Sequence, residues 1–147
     1  MKQAFTIAAI IFVIAQITAT AQEKKKTPLQ EFGGTTNFHL MMCQIKARTA
    51  FSRVELGEIP EAQSPISACR TEAKDSVKVL FAPALAQVAK KPETSRLLKE
   101  YYAQWMTLLD GVSPDANERK ISYERRQGEA ARKLDEHWNR VAIEAGL

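Results

Sequence analysis

The only two cysteines of this 147-residue chain, Cys43 and Cys69, each fall on the apolar stripe of a segment with helical periodicity. A bond between them would hold two helices side by side, and no other feature narrows the choice of fold as much. Leu40, Cys43, Ala47, Ala50, Phe51 and Val54 recur at three- and four-residue steps. Ile66, Cys69, Ala73, Val77, Leu80, Ala84 and Val88 make a second, cleaner stripe. The two sulfurs lack the close spacing of a redox dithiol or a zinc knuckle, so a structural disulfide is the expectation.

Whether the thiols oxidise depends on the compartment. Lys2, an apolar run from Ala4 to Ala15 and the small-x-small triplet Ala19-Thr20-Ala21 have the anatomy of a secretory signal peptide over residues 1–21. The run is too short for a spanning helix, which needs about 20 apolar residues. Nothing later in the sequence is apolar enough to enter a membrane stably. An exported protein of the periplasm or extracellular space is therefore expected. Lys24, Lys25 and Lys26 run against this reading, since positive charge past the cut opposes translocation. The chain carries a net charge of +4, and residues 1–21 hold one Lys and no acid, which leaves +3. That is too little to suggest nucleic acid as a partner.

Residues 22–34, with Pro28 and the pair Gly33-Gly34, read as a flexible N-terminal segment ahead of a single helical domain over 35–147. Thr35-Thr36 offers capping hydroxyls for the first helix, and Gly57 and Pro60 end it. Ser64-Pro65 starts the second, in which Pro83 predicts a kink or a restart near Phe81-Ala82. A third helix runs from about Glu93 to Asp110, stopped by Gly111. Ser113-Pro114-Asp115 opens a last one that reaches about Ala145. No strand pattern occurs. The fold class is all-α, a small bundle of about four helices stapled by Cys43–Cys69. In a straight hairpin the two cysteines would miss each other by roughly 13 Å. Either the first helix ends early, near Phe51, with Arg53 to Gln63 as a returning loop, or the two helices cross steeply, and the returning loop is the expectation.

Function is less legible. On the third helix Leu97, Leu98, Tyr101, Tyr102, Trp105, Met106, Leu108 and Leu109 cover about half the circumference, wider than a surface helix needs. One reading is a helix wedged between two neighbours. The other keeps Tyr102, Trp105 and Met106 for a partner. The last helix has few apolar side chains between Asp115 and Glu129, so its N-terminal half should be under-buried. There Arg119, Arg125 and Arg126 would complete a partner-binding surface. Interleaved acids give Glu129–Lys133 and Glu136–Arg140 as i, i+4 pairs. No catalytic residues are assigned: the chain has two histidines and no nucleophile motif. No cofactor and no metal are assigned either, although His39, Met42 and Cys43 share a helix face and are the soft ligands that suit Cu(I). The expectation is an exported, non-enzymatic protein that binds a partner protein in the cell envelope, with inhibition of that partner as one form of binding. The alternative is a periplasmic small-ligand or metal carrier, with a pocket at Phe81 and Leu85.

Overall fold

A computed structural model describes residues 25–57, 64–115 and 117–147. The expected signal peptide lies outside the described residues. Four helices follow one another: α1 Pro28–Glu55, α2 Ser64–Gln87, α3 Pro92–Asp110 and α4 Lys120–Ala145. No strand occurs among the described residues.

α1 starts seven residues earlier than the sequence suggested, and most of the segment expected to be flexible belongs to it. Thr27 is its N-cap, with Pro28 as first helical residue. The Thr27 hydroxyl accepts from the Gln30 N–H, and the Gln30 side chain accepts from the Thr27 N–H at 3.0 Å. This reciprocal box satisfies two backbone donors that a bare helix start leaves unpaired. A third, the Leu29 N–H, donates to the Gln87 side chain at 2.9 Å, so the end of α2 completes the start of α1. Leu29 and Phe32 are then fully buried. Gly33 is a packing residue: a Cβ there would stand 2.0 Å from Cζ2 of Trp138.

The helix also ends later than expected, at Glu55, with Gly57 in the left-handed region just beyond. The disulfide forms all the same, with Cα atoms 5.7 Å apart. Phe32 lies against Phe81 and Leu29 meets Gln87, so α1 and α2 are antiparallel along their length. α1 therefore runs past the start of α2 by roughly 10 Å, at ~1.5 Å per residue. The eight residues between Glu55 and Ser64 can recover that distance, since an extended chain spans up to ~3.3 Å per residue. α2 is continuous through Pro83, with no restart.

α3 and α4 form the second antiparallel hairpin. Lys91, the N-cap of α3, donates from Nζ to the carbonyls of Glu144 and Ala145 at the far end of α4. A cation on terminal carbonyls meets the negative end of the helix dipole. Gly146 closes α4 in the left-handed region, and the Leu147 N–H returns to the Ala142 carbonyl at 3.0 Å. α4 does not begin at Ser113-Pro114-Asp115. It begins at Lys120, and Val112, in the connection after α3, is fully buried.

α1 touches all three other helices and α3 does likewise, while α2 and α4 stay apart on opposite sides. The core follows this short α1–α3 diagonal. Thr36 ties it together: its hydroxyl pairs with the Tyr101 hydroxyl at 2.8 Å, and its carbonyl accepts from the Trp105 indole N–H at 2.9 Å. Phe32 sits among Phe81, Tyr101, Tyr102 and Trp138 at centroid distances of 5.7 to 6.4 Å. These separations lie in the favourable range for tilted and edge-to-face rings.

Candidate functional site

Of the six side chains expected to meet a partner, the structure takes two into the protein's own framework. Trp105 is fully buried and bonded to Thr36, so it is a core residue. The wide apolar arc of α3 follows from that position, because α3 packs on three helices at once. Tyr102 and Met106 are half-buried against the same core. Tyr102 stacks on Phe81, with centroids 4.4 Å apart, and burial pushes its phenol pKa upward. Tyr101 and Tyr123 are likewise pushed up to about 12, mainly by burial.

Arg126 is the second. Its guanidinium takes the Glu118 carboxylate in a two-point bond, at 2.9 and 2.7 Å, and donates to the Gly111 carbonyl at 2.8 Å. That bond holds the Glu118 carboxyl below its ordinary range. Gln127 donates to the same Gly111 carbonyl at 2.7 Å, and the Tyr123 hydroxyl donates to the Val112 carbonyl at 2.9 Å. Three side chains within about one turn of α4, Tyr123, Arg126 and Gln127, thus clasp the α3–α4 connection. The N-terminal half of α4 is docked rather than under-buried, with Tyr123 fully buried against Phe51. Arg119 and Arg125 remain exposed. Glu136 pairs with Arg132 in place of Arg140.

The metal alternative loses a ligand, since the Cys43 sulfur is bonded to Cys69. Among the described residues no group of three or more His, Cys, Asp or Glu side chains is placed to hold a metal ion. His137 is buried between α3 and α4. Its Nε2–H donates to the Leu97 carbonyl, and Nδ1 lies 3.0 Å from the Gln104 amide. Both ring nitrogens are thus taken up by α3, and Glu100 is the carboxylate whose charge reaches the imidazole. At the expected pocket near Phe81 and Leu85, the Phe81 ring is stacked on Tyr102. Leu85 instead borders an open hollow with Ser95, Arg96 and Lys99.

A surface that the sequence reading missed lies on the outward side of α1. Phe38, Met41 and Ile45 are 53, 48 and 47% exposed, although each is a large apolar side chain. At i, i+3 and i+7 they form one line, opposite the face that buries Leu40, Cys43 and Ala47. Lys46 and Arg48 stand exposed beside it. The spacing was visible in the sequence, but Met41 stands next to His39, Met42 and Cys43 and invites a different interpretation. Comparison with known proteins gives no match: no family, no curated protein and no solved structure is detectably similar to this chain.

Proposed function

We propose that this is an exported, non-enzymatic helical protein that binds a partner protein in the cell envelope, with the outward line of α1 as its contact surface. The observation that carries the reading is the row Phe38, Met41, Ile45, each about half exposed on the outward side of α1. An apolar row at i, i+3 and i+7 is the pattern by which a helix enters a hydrophobic groove, with each side chain anchoring in its own pocket. The partner would supply that groove, with acidic side chains at its rim to meet Lys46 and Arg48. Large apolar side chains left in water cost free energy, and aromatic residues and Met are the types that interfaces recruit.

Export is supported by the apolar N-terminal run and by a disulfide that the cytosol would keep reduced. Among the described residues no helix is long and apolar enough to cross a membrane.

The test is a comparison of captured proteins. Wild-type protein and the variants Phe38→Glu and Ile45→Glu are used as bait in envelope extracts. Both sites are on the surface, so the variants should melt within about 2 °C of wild type, as surface substitutions do. A protein held by wild type and lost from both variants supports the reading. A protein held equally by all three places the contact elsewhere. Wild type that dimerises in solution while both variants stay monomeric would make the partner a second copy of this chain.

A further inference from the structure

We propose that the groove between the first half of α1 and the second half of α4 is a binding site for a small organic cation, an ammonium group on a short apolar body. The groove has a volume of about 360 Å³ and is bounded by Gly34 and Asn37 on one side and Asp135, Trp138 and Leu147 on the other. That volume is at the lower end of the range for small-molecule sites. None of Phe38, Met41 and Ile45 lines it, so this inference is independent of the proposed protein contact.

Gly34 is the first argument. A glycine inside a helix weakens it unless something needs the space. Gly33 has such a reason in the Trp138 ring, but Gly34 does not. Its backbone is not left-handed, and nothing lies within 4 Å of where its Cβ would stand. What its missing side chain leaves open is this groove.

The second is the indole of Trp138. It is half-buried and fixed in place, with Tyr101 at 5.1 Å and Phe32 at 6.4 Å between centroids and Gly33 close against its Cζ2. A ring held in this way gives a preformed apolar wall, and an aromatic face attracts a cation through its quadrupole. A second copy of the device, a cation over a ring, already exists in this protein, where Arg126 lies 5.5 Å from the Tyr123 centroid.

Charge supplies the third. Among the described residues that line the groove, Asp135 is the one charged side chain. It stands three residues before Trp138, on the same side of α4. Asp135 is exposed and has no ion-pair partner among the described residues, whereas its neighbour Glu136 is held by Arg132. An anionic ligand would be repelled by this carboxylate, and a neutral one would gain nothing from it. An ammonium group placed between the carboxylate and the indole satisfies both, and the Asn37 amide oxygen can accept one of its N–H bonds.

The experiment uses the protein with its disulfide intact and follows the indole N–H signals in a ¹H–¹⁵N spectrum. The chain has two tryptophans, and buried Trp105 serves as the internal reference. The probes are pentylammonium, the uncharged pentanol and the anion pentanoate. The expected result is a saturable shift of the Trp138 signal with pentylammonium, about tenfold weaker binding of pentanol, no binding of pentanoate and an unmoved Trp105 signal. Asp135→Asn should lower pentylammonium to the level of pentanol. Gly34→Leu, which fills the groove with a better helix former, should abolish binding of both. Nα-acetyl-lysine amide separates two sources of the same chemistry. Tighter binding than pentylammonium assigns the site to a lysine of another chain, and weaker binding assigns it to a free amine. Equal affinity for pentanol and pentylammonium, a shift that never saturates, or full binding by Asp135→Asn overturns the inference.

Discussion

Both ring nitrogens of His137 face α3, at the Leu97 carbonyl and the Gln104 amide, in a space with little water. Burial there disfavours the imidazolium, and Arg140 adds repulsion, so the His137 pKa lies below its ordinary value. The charged groups facing it are Arg140, Glu100 and Arg96, and Glu100 pulls the other way. Because the unfolded chain binds this proton more readily than the folded one, the stability it contributes is complete above about pH 6.5 and is lost as pH falls toward the lowered folded value. Thermal unfolding followed from pH 8 to pH 5 should show a midpoint that declines below pH 6.5. His137→Gln should flatten that decline, whatever its effect on the midpoint at pH 8. An unchanged slope would show that the imidazole is not the group responsible.

The elements show which signals in a sequence decide a boundary. α2 was legible because seven residues from Ile66 to Val88 keep one face, and all of them are buried or half-buried. Its proline did not interrupt it: Pro83 lies on the exposed side, where water can serve the carbonyl it frees. The start of α1 was obscured by Gly33-Gly34, which read as a break. The signal that could have located it was Thr27-Pro28 followed by Gln30 at the third helical position. At α4 the reverse occurred. Ser113-Pro114 has the look of a helix start, but Arg126, Gln127 and Tyr123 take up the carbonyls of 111–113 and fix this stretch as a connection. Those bonds reach back 11 to 16 residues, beyond what local patterns report. The two glycines of α1 give a paired prediction. Gly34→Ala should raise stability by about 1 kcal/mol, as Ala does in an open helix interior. Gly33→Ala should lower it by about 1–3 kcal/mol, because Trp138 must move aside. Urea unfolding of the two variants side by side checks both signs.

Over the whole molecule, the all-α class and the staple between the first two helices were legible because both rest on residues that repeat or pair within the chain. The surfaces were not. The wide apolar arc on α3 reflects its contacts with three other helices, and a sequence cannot say how many neighbours a helix has. The staple closes a loop of 26 residues, for which the chain-entropy model gives about 3.5 kcal/mol. The double variant Cys43→Ala, Cys69→Ala should lose about that much in guanidinium unfolding, a large part of a small domain's stability. A loss well under 1 kcal/mol would mean that core packing alone determines the hairpin.

The sulfur bridge also lies across the chain from the segment that joins α1 to α2. A single peptide bond hydrolysed anywhere between Glu55 and Ser64 would leave both pieces covalently attached. Cut by a protease at that place, the bundle would still travel as one molecule.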